Sequence, residues 1–145
     1  MKFYLAGPIT GDPEYKQKFE AAAEIFRKGW PDDVAINPAV LPEGMHPVNY
    51  MAICLPMLLM ADSVFLLPGW ENSAGAKVEK ALAEYCGIPV MEFPASWIPS
   101  SWRVTRDPED PGRAGLRRLD GADADGAAPA ADHMRALRDR PGRMR

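Results

Sequence analysis

The stretch "SVFLLPGWENSAGAKVEKALAEYCGIPVMEF", residues 63 to 93, decides the fold. It opens with an almost continuous apolar run that ends at Pro68, and a helical segment follows from Gly75 to Cys86. The β-rich run "IPVMEF" comes next. A strand that is apolar at successive positions is typical of a parallel sheet, because such a sheet is covered on both faces. The stretch therefore predicts one β-α-β unit of an α/β protein.

The preceding residues repeat this alternation. The runs "KFYLAG" and "DVAINP" predict two further strands, and between them "EYKQKFEAAAEIFRKGW" has apolar residues at helical spacing. Another helix is expected from Val48 to Met60, with a kink at Pro56. Strands that alternate with helices predict a four-stranded parallel sheet joined by right-handed crossovers. The expected fold is a flavodoxin- or Rossmann-like three-layer sandwich.

The composition predicts one ordered domain and a tail. A chain of 145 residues that is 47% hydrophobic can bury one modest core, which we expect over residues 1–98. From Pro99 onward the sequence has no lysine, few large apolar residues and many Arg, Asp, Ala, Gly and Pro residues. Residues 99–145 are therefore expected to be a disordered C-terminal extension without a defined role. The alternative is an arginine-rich arm that meets an acidic partner.

Charge and hydropathy exclude several function classes. Residues 1–98 carry more acidic than basic side chains and no basic stripe, so a small ligand is expected and a nucleic-acid polymer is not. The longest apolar run is broken by Pro56 and Asp62, and no cleavable leader is visible, which predicts a cytoplasmic protein without membrane contact. Cys54 and Cys86 have no metal-ligand spacing, so both are expected to be buried free thiols, with no metal or cofactor.

The first two loops after strands are candidate ligand sites, because ligands bind beyond the carboxyl ends of parallel strands. The first loop, "GPITGD", spans residues 7–12; its glycines permit close backbone approach and Thr10 offers a hydroxyl. It is neither a dinucleotide fingerprint nor a phosphate-binding P-loop. The alternative is a tight turn with Asp12 as a helix cap. The second loop contributes Asn37, whereas His46 is expected to be simply solvated.

The third loop, "PGWENSAG", precedes a helix N-terminus. Exposed backbone N–H groups and the helix dipole favour an anionic group there, such as a phosphate. The alternative is ordinary capping of the helix by one of the loop's polar side chains. The loop places four candidate side chains there: Trp70, Glu71, Asn72 and Ser73.

Glu79 is the candidate for chemistry on the following helix. The helix is expected to bury an apolar stripe, which puts Glu79 on its flank. Helical side chains lean toward the N-terminus, so Glu79 is expected to point back toward the loops. A carboxylate in such a position suits nucleophilic attack on the anomeric carbon of a sugar. The predicted stripe consists of Val78, Ala81, Leu82 and Tyr85.

These segments resemble the nucleoside 2-deoxyribosyltransferases, their deoxynucleoside-monophosphate N-glycosidase relatives and a small phage-associated group of unknown function in the same superfamily. The resemblance covers residues 2 to about 94 and rests on "FYLAGPITG", "ADSVFLLPGWENSAGAKVEKALA" and "GIPV". Within them, the family pattern S-x-G-x-x-x-E falls on Ser73, Gly75 and Glu79. The resemblance implies that Glu79 is the nucleophile and that Tyr4 lies beside it. It also implies a homodimer or higher homo-oligomer, because relatives complete each pocket from a neighbouring subunit.

The resemblance also assigns the substrate-binding residues. It implies that Gly7, Ser73 and Gly75 frame the sugar or its phosphate, and that Trp70 covers the base. The remaining candidates, taken from the loops, are Thr10, Asp12, Asn37 and Asn72.

One position departs from the family pattern. Relatives carry an aspartate eight residues before the aspartate matched by Asp62, and that position is Cys54 here. The aspartate is thought to help protonate the departing base, for which a thiol is a poor substitute. Either another acid, Asp12 or Glu71, replaces it, or catalysis is weak. Two hypotheses follow: an N-glycosidase or deoxyribosyltransferase acting on a nucleoside or nucleotide, and a nucleotide-binding module that has lost turnover.

Overall fold

The computed structural model describes residues 1–98, and the predicted C-terminal extension lies outside the described residues. Four strands alternate with three helices in this part of the chain, as the sequence predicts. Three short 3-10 turns, Pro38–Val40, Trp70–Asn72 and Ala95–Trp97, follow β2, β3 and β4 respectively. The strands and helices are β1 (Lys2–Ala6), α1 (Tyr15–Gly29), β2 (Val34–Ile36), α2 (Pro47–Leu59), β3 (Ser63–Leu66), α3 (Ala74–Tyr85) and β4 (Val90–Glu92).

The four strands form one parallel sheet in the order β2-β1-β3-β4. The predicted α/β, Rossmann-like fold is therefore confirmed. The chain moves outward from β1 to β2 and then returns to the other side of β1 to form β3. The strand order thus reverses between β1 and β3, and the loops that leave these two strands diverge. Such a reversal leaves a crevice at the carboxyl edge of the sheet.

One face of the sheet packs against α1 through aromatic side chains. The ring centroid of Phe26 lies 5.0 Å from that of Phe3 and 4.8 Å from that of Phe65. Phe19 and Phe26, both buried, are α1 positions at the spacing from which the helix was predicted. Trp97 adds a further ring beside Phe26, at 6.0 Å. This face is an aromatic core.

The opposite face packs against α2 and α3. Alternate residues of the same strands, including Tyr4 and Val64, join Leu58 and Ala83 in a second core. The two helices also contact each other. Helices on both faces make the three layers that the sequence predicts.

The buried face of α3 differs from the prediction: of the predicted stripe, Leu82 packs partly buried against the second core, and the other three residues are exposed. Tyr85 is 90% exposed and Val78 is 49% exposed, whereas Glu79 is only 5% exposed. The residues of α3 that the protein buries are Ala76, Glu79 and Ala83. Alanines on this face let the helix approach the sheet closely, and larger apolar side chains would hold it away. Glu79 therefore lies on the buried face of the helix and not on its flank.

Asp62 and the cysteines also have defined positions. The carboxylate of Asp62 accepts the backbone N–H of Lys2 at 2.8 Å, and its own N–H donates to the carbonyl of Lys2 at 2.8 Å. Asp62 therefore ties together the amino ends of β1 and β3, at the edge opposite to the crevice.

Cys54 is buried as expected, but Cys86 is exposed, so the prediction for Cys86 is wrong. Within residues 1–98, no helix has the length and apolar character needed to cross a bilayer.

The orientation of α3 predicts different responses to the same substitution two residues apart. Ala83 is fully buried and Ala81 is exposed. Ala83→Leu forces extra carbon atoms into a packed core and should lower the free energy of unfolding by about 1 to 3 kcal/mol. Ala81→Leu should change it by less than about 0.5 kcal/mol. Urea denaturation of both variants measures the difference, and equal effects would contradict the orientation of α3 described here.

Candidate active site

A cavity of about 540 Å³ opens at the reversal between β1 and β3. Its volume is within the range of small-molecule sites. Three segments line it: the loop after β1, the N-terminal half of α2, and the start of α3 with the residues just before it. The cavity therefore lies where the topology of a parallel sheet predicts a ligand site.

The loop after β1 contributes Gly7 and Thr10 to the lining. A Cβ atom at Gly7 would lie 2.9 Å from the Cβ of Leu67, so only glycine lets the loops after β1 and β3 pack this closely. Asp12, predicted for the same site, does not line the cavity. Its carboxylate accepts the backbone N–H of Glu14 at 3.0 Å and pairs with Lys18. Asp12 thus stabilises the start of α1. This role is close to the helix capping that was the alternative to ligand binding for this residue.

The start of α3 contributes Asn72, Ser73 and Gly75. The hydroxyl of Ser73 accepts the backbone N–H of Ala76 at 3.2 Å, so this side chain caps the helix and lines the cavity at once. A Cβ atom at Gly75 would make only an ordinary contact, 3.4 Å from the sulfur of Met51. Packing within the protein therefore does not require glycine there, and the missing side chain leaves room in the cavity.

Glu79, held by the buried Tyr4 that lies outside the lining, forms the floor of the site. Glu79 lines the cavity, and its Oε1 accepts a hydrogen bond of 2.6 Å from the hydroxyl of Tyr4, which is fully buried on β1. Among residues 1–98, no second hydrogen bond reaches this carboxylate, so Oε2 has no protein partner. The predicted pairing of Glu79 with Tyr4 is present. The geometry gives one oxygen a fixed donor and leaves the other for a ligand.

Burial dominates the electrostatics of this floor. It raises the pKa of Glu79 to about 7, although the hydrogen bond from Tyr4 works in the opposite direction. Burial also raises the pKa of Tyr4 well above its ordinary value, and the nearby charge of Glu79 adds to the effect. Tyr4 therefore remains a neutral hydrogen-bond donor. Burial likewise raises the pKa of the Cys54 thiol, against the interaction with Tyr4, so the thiol stays protonated near neutral pH.

The structure does not bring Asn37, Trp70 or His46 into the cavity lining. The side chain of Asn37 accepts the backbone N–H of Ala39 at 2.9 Å and caps the 3-10 turn after β2. Trp70 packs against the second core. His46 caps α2, where its Nδ1 accepts the N–H of Val48 at 3.3 Å.

The candidate replacement acids are also outside the lining. Glu71 is exposed in the 3-10 turn before α3, and Asp12 is paired as described above. Cys54, where the sequence resemblance implies an aspartate, does line the cavity and interacts with Tyr4 and Glu79. This position is therefore inside the site, whereas Asp12 and Glu71 are outside its lining.

Sequence reasoning missed the contribution of α2. Val48 of this helix lines the rim, and besides Cys54 the helix supplies Pro47, Tyr50 and Met51 on one face. These positions lie one helical turn apart along one face, at spacings of three and four residues. The signal was available: once Cys54 is placed beside Glu79, the same spacing selects Pro47, Tyr50 and Met51.

The fold and the site together define an α/β protein with a ligand-sized cavity and a buried carboxylate at the strand-order reversal. Residues 1–92 match the family model described as "Domain of unknown function (DUF4406)", and the chain belongs to this family. No curated protein and no solved structure is significantly similar to it. In the described part of the chain, no cluster of His, Cys, Asp and Glu side chains could hold a metal ion.

The raised pKa of Glu79 predicts a pH-dependent stability. The folded chain holds this proton up to pH 7 or so, but the unfolded chain loses it near the ordinary value of 4.5. The folded state thus binds more protons between these values, so its stability falls as the pH rises through this window and levels off above it. Glu79→Gln removes the ionisation and should be more stable than the natural chain at pH 8, by about 2 to 3 kcal/mol.

Urea denaturation at pH 5 and pH 8 measures this effect. The difference between the natural chain and Glu79→Gln should be small at pH 5 and large at pH 8. Glu84→Gln, on an exposed position of the same helix, is the matched control and should show no such growth. A constant difference across both pH values would contradict a buried, titrating Glu79.

Proposed function

We propose that the protein breaks the N-glycosidic bond of a nucleoside, deoxynucleoside or nucleoside monophosphate, with Glu79 as the nucleophile. The observation that carries this proposal is the state of its carboxylate. It is 5% exposed, lines a cavity of about 540 Å³, and has one oxygen held by Tyr4. A buried carboxylate with one unoccupied oxygen facing a ligand-sized cavity is costly for folding and useful for attack on a sugar carbon.

The proposed reaction has two steps. Oε2 of Glu79 attacks the anomeric carbon, the carbon–nitrogen bond breaks, and its electron pair leaves with the base. Water or a second base then attacks the same carbon and releases Glu79. The enzyme is a hydrolase if water attacks and a transferase if a second base attacks. Tyr4 contributes orientation, because its hydroxyl fixes Oε1 at 2.6 Å while Oε2 reacts.

The departing base needs a proton, and the lining offers few donors. Besides Glu79, the ionisable side chains that residues 1–98 contribute to it are Cys54 and Tyr50, and the Tyr50 hydroxyl already donates to the carbonyl of Pro42 at 2.6 Å. Cys54 is a weak acid whose pKa burial raises further. The proposed enzyme therefore uses bases that leave easily or takes an acid from a second copy of the chain.

A homo-oligomer, with a homodimer as the minimum, is part of the proposal. Val48 and Val78 line the cavity, yet they are 66% and 49% exposed. Apolar side chains at the rim of a site gain burial when a second subunit covers them. The same second subunit would bring side chains to a site that lacks an acid of its own.

The second candidate is a binding module that holds a nucleoside or nucleotide without turnover. The observation that favours it is again chemical: Glu79 is the one carboxylate in the lining formed by residues 1–98, and Cys54 occupies the place of the expected acid. In both cases the proposed partner is a small molecule in the cytoplasm, and neither a membrane nor a nucleic-acid polymer takes part.

Base release from Glu79 variants tests the enzyme. The natural chain should release free base from one or more members of a panel of nucleosides and monophosphates, measured by chromatography. Glu79→Gln and Glu79→Ala should lower the rate by about 10³-fold or more, because both remove the nucleophile. The natural rate should rise with pH through about 7, since only the ionised Glu79 attacks. Robust release by Glu79→Ala would contradict the assignment.

Cys54 variants in the same assay separate the two candidates. Cys54→Asp should raise turnover if the missing acid limits the natural chain, whereas Cys54→Asn, of similar size but without an acidic proton, should not. A binding module would show no release from the natural chain, no gain from Cys54→Asp, and ligand affinity that survives in all variants.

A further inference from the structure

The aromatic side chain in the cavity lining is that of Tyr50 on α2. The sequence resemblance gives Trp70 the task of covering the base, but the Trp70 ring packs against the second core. The ammonium of Lys80 lies 5.8 Å from the centroid of that ring. Within the described part of the chain, the lining therefore offers a planar ligand one aromatic partner, and it comes from a different helix.

Tyr50 is held in place before any ligand binds. Its hydroxyl donates to the carbonyl of Pro42 at 2.6 Å, which ties the ring to the loop that precedes α2. That loop is in turn joined to α1, because the ammonium of Lys16 lies 2.8 Å from the carboxylate of Glu43. A side chain that is already ordered loses little conformational entropy when a ligand packs against it, so more of the free energy of the contact contributes to affinity.

The position of Tyr50 along α2 matches the shape of a nucleoside. Cys54, four residues further on, interacts with Tyr4 and Glu79 at the floor. Four residues correspond to about 6 Å along a helix, and the turn from Cys54 to Tyr50 runs toward the helix N-terminus. If the anomeric carbon lies at Glu79, the neighbouring ring of the ligand, which is the base, reaches the level of Tyr50.

We propose that Tyr50 is the aromatic contact for the base and determines how tightly a nucleoside binds. This inference rests on the proposed function and adds a residue to it. The contact supports binding and takes no part in breaking the bond. Stacking of a base on an aromatic ring accounts for about tenfold to hundredfold in affinity, and it tolerates both purines and pyrimidines because each has a flat face.

Calorimetric titration with 2′-deoxyadenosine and 2′-deoxycytidine tests the proposal. The parent is Glu79→Gln, which prevents turnover during the measurement. Adding Tyr50→Leu should weaken binding by about tenfold or more, whereas Tyr50→Phe, which keeps the ring, should weaken it about threefold or less. Trp70→Leu is the matched aromatic control and should leave the affinity within about twofold. Urea midpoints of each variant verify that the fold is intact.

Steady-state kinetics of base release distinguish a binding role of Tyr50 from a purely structural one. Tyr50→Leu in the otherwise natural chain should raise KM much more than it lowers kcat, because the contact forms in the substrate complex and persists in the transition state. Unchanged affinity in Tyr50→Leu would overturn the inference, as would equal losses in Tyr50→Leu and Tyr50→Phe or in Tyr50→Leu and Trp70→Leu. These results would not contradict the proposed function. Absence of binding in the parent together with absence of base release from the natural chain would overturn both.

Discussion

The hydrogen bond from Tyr4 to Glu79 is the interaction on which the site depends. It joins the middle of β1 to α3 across 75 positions of sequence, inside the core on one face of the sheet. Burying a carboxylate there is unfavourable unless a donor compensates, and the fully buried Tyr4 hydroxyl is that donor. The alanines beside Glu79 on α3 make the approach possible. This contact fixes Glu79 at the floor of the cavity and α3 against β1, and burial raises the pKa of Glu79 in spite of it.

Much of the fold and part of the site were predictable from sequence, and the failure on α3 has a clear physical cause. Alternating apolar runs and helical spacing indicated the parallel sheet, and the position of loops at its carboxyl edge led to Glu79. The face of α3 was not predictable, because apolarity argued for burying Val78 and Tyr85, and the helix buries Glu79 and small alanines instead. A buried carboxylate contradicts the rule from which a buried face is inferred. Trp70 was expected at the ligand from its loop position and from the resemblance, but its ring packs against the second core.

The described domain extends slightly beyond the family match, which ends at residue 92. Phe93 is buried, and the Trp97 ring lies 5.5 Å from it and 6.0 Å from Phe26. These rings close the aromatic core on the α1 face, opposite to the cavity. The two faces of the sheet thus differ. One packs a conventional apolar core that stabilises the fold, and the other also contains a buried acid and a cavity, which do not stabilise it. Stability supplied by the first face offsets the cost of the buried acid and the cavity on the second.

Covalent trapping of the sugar tests the central claim most directly. Fluorine at the 2′ carbon destabilises the oxocarbenium-like transition states of both steps, so a 2′-fluoronucleoside whose base leaves readily can form the intermediate while its release remains slow. After incubation with such a nucleoside, mass spectrometry should find the mass of the fluorinated sugar on the peptide that contains Glu79, and no adduct in Glu79→Gln. Base release without an adduct on Glu79, or with an adduct on another residue such as Cys54, would contradict the account.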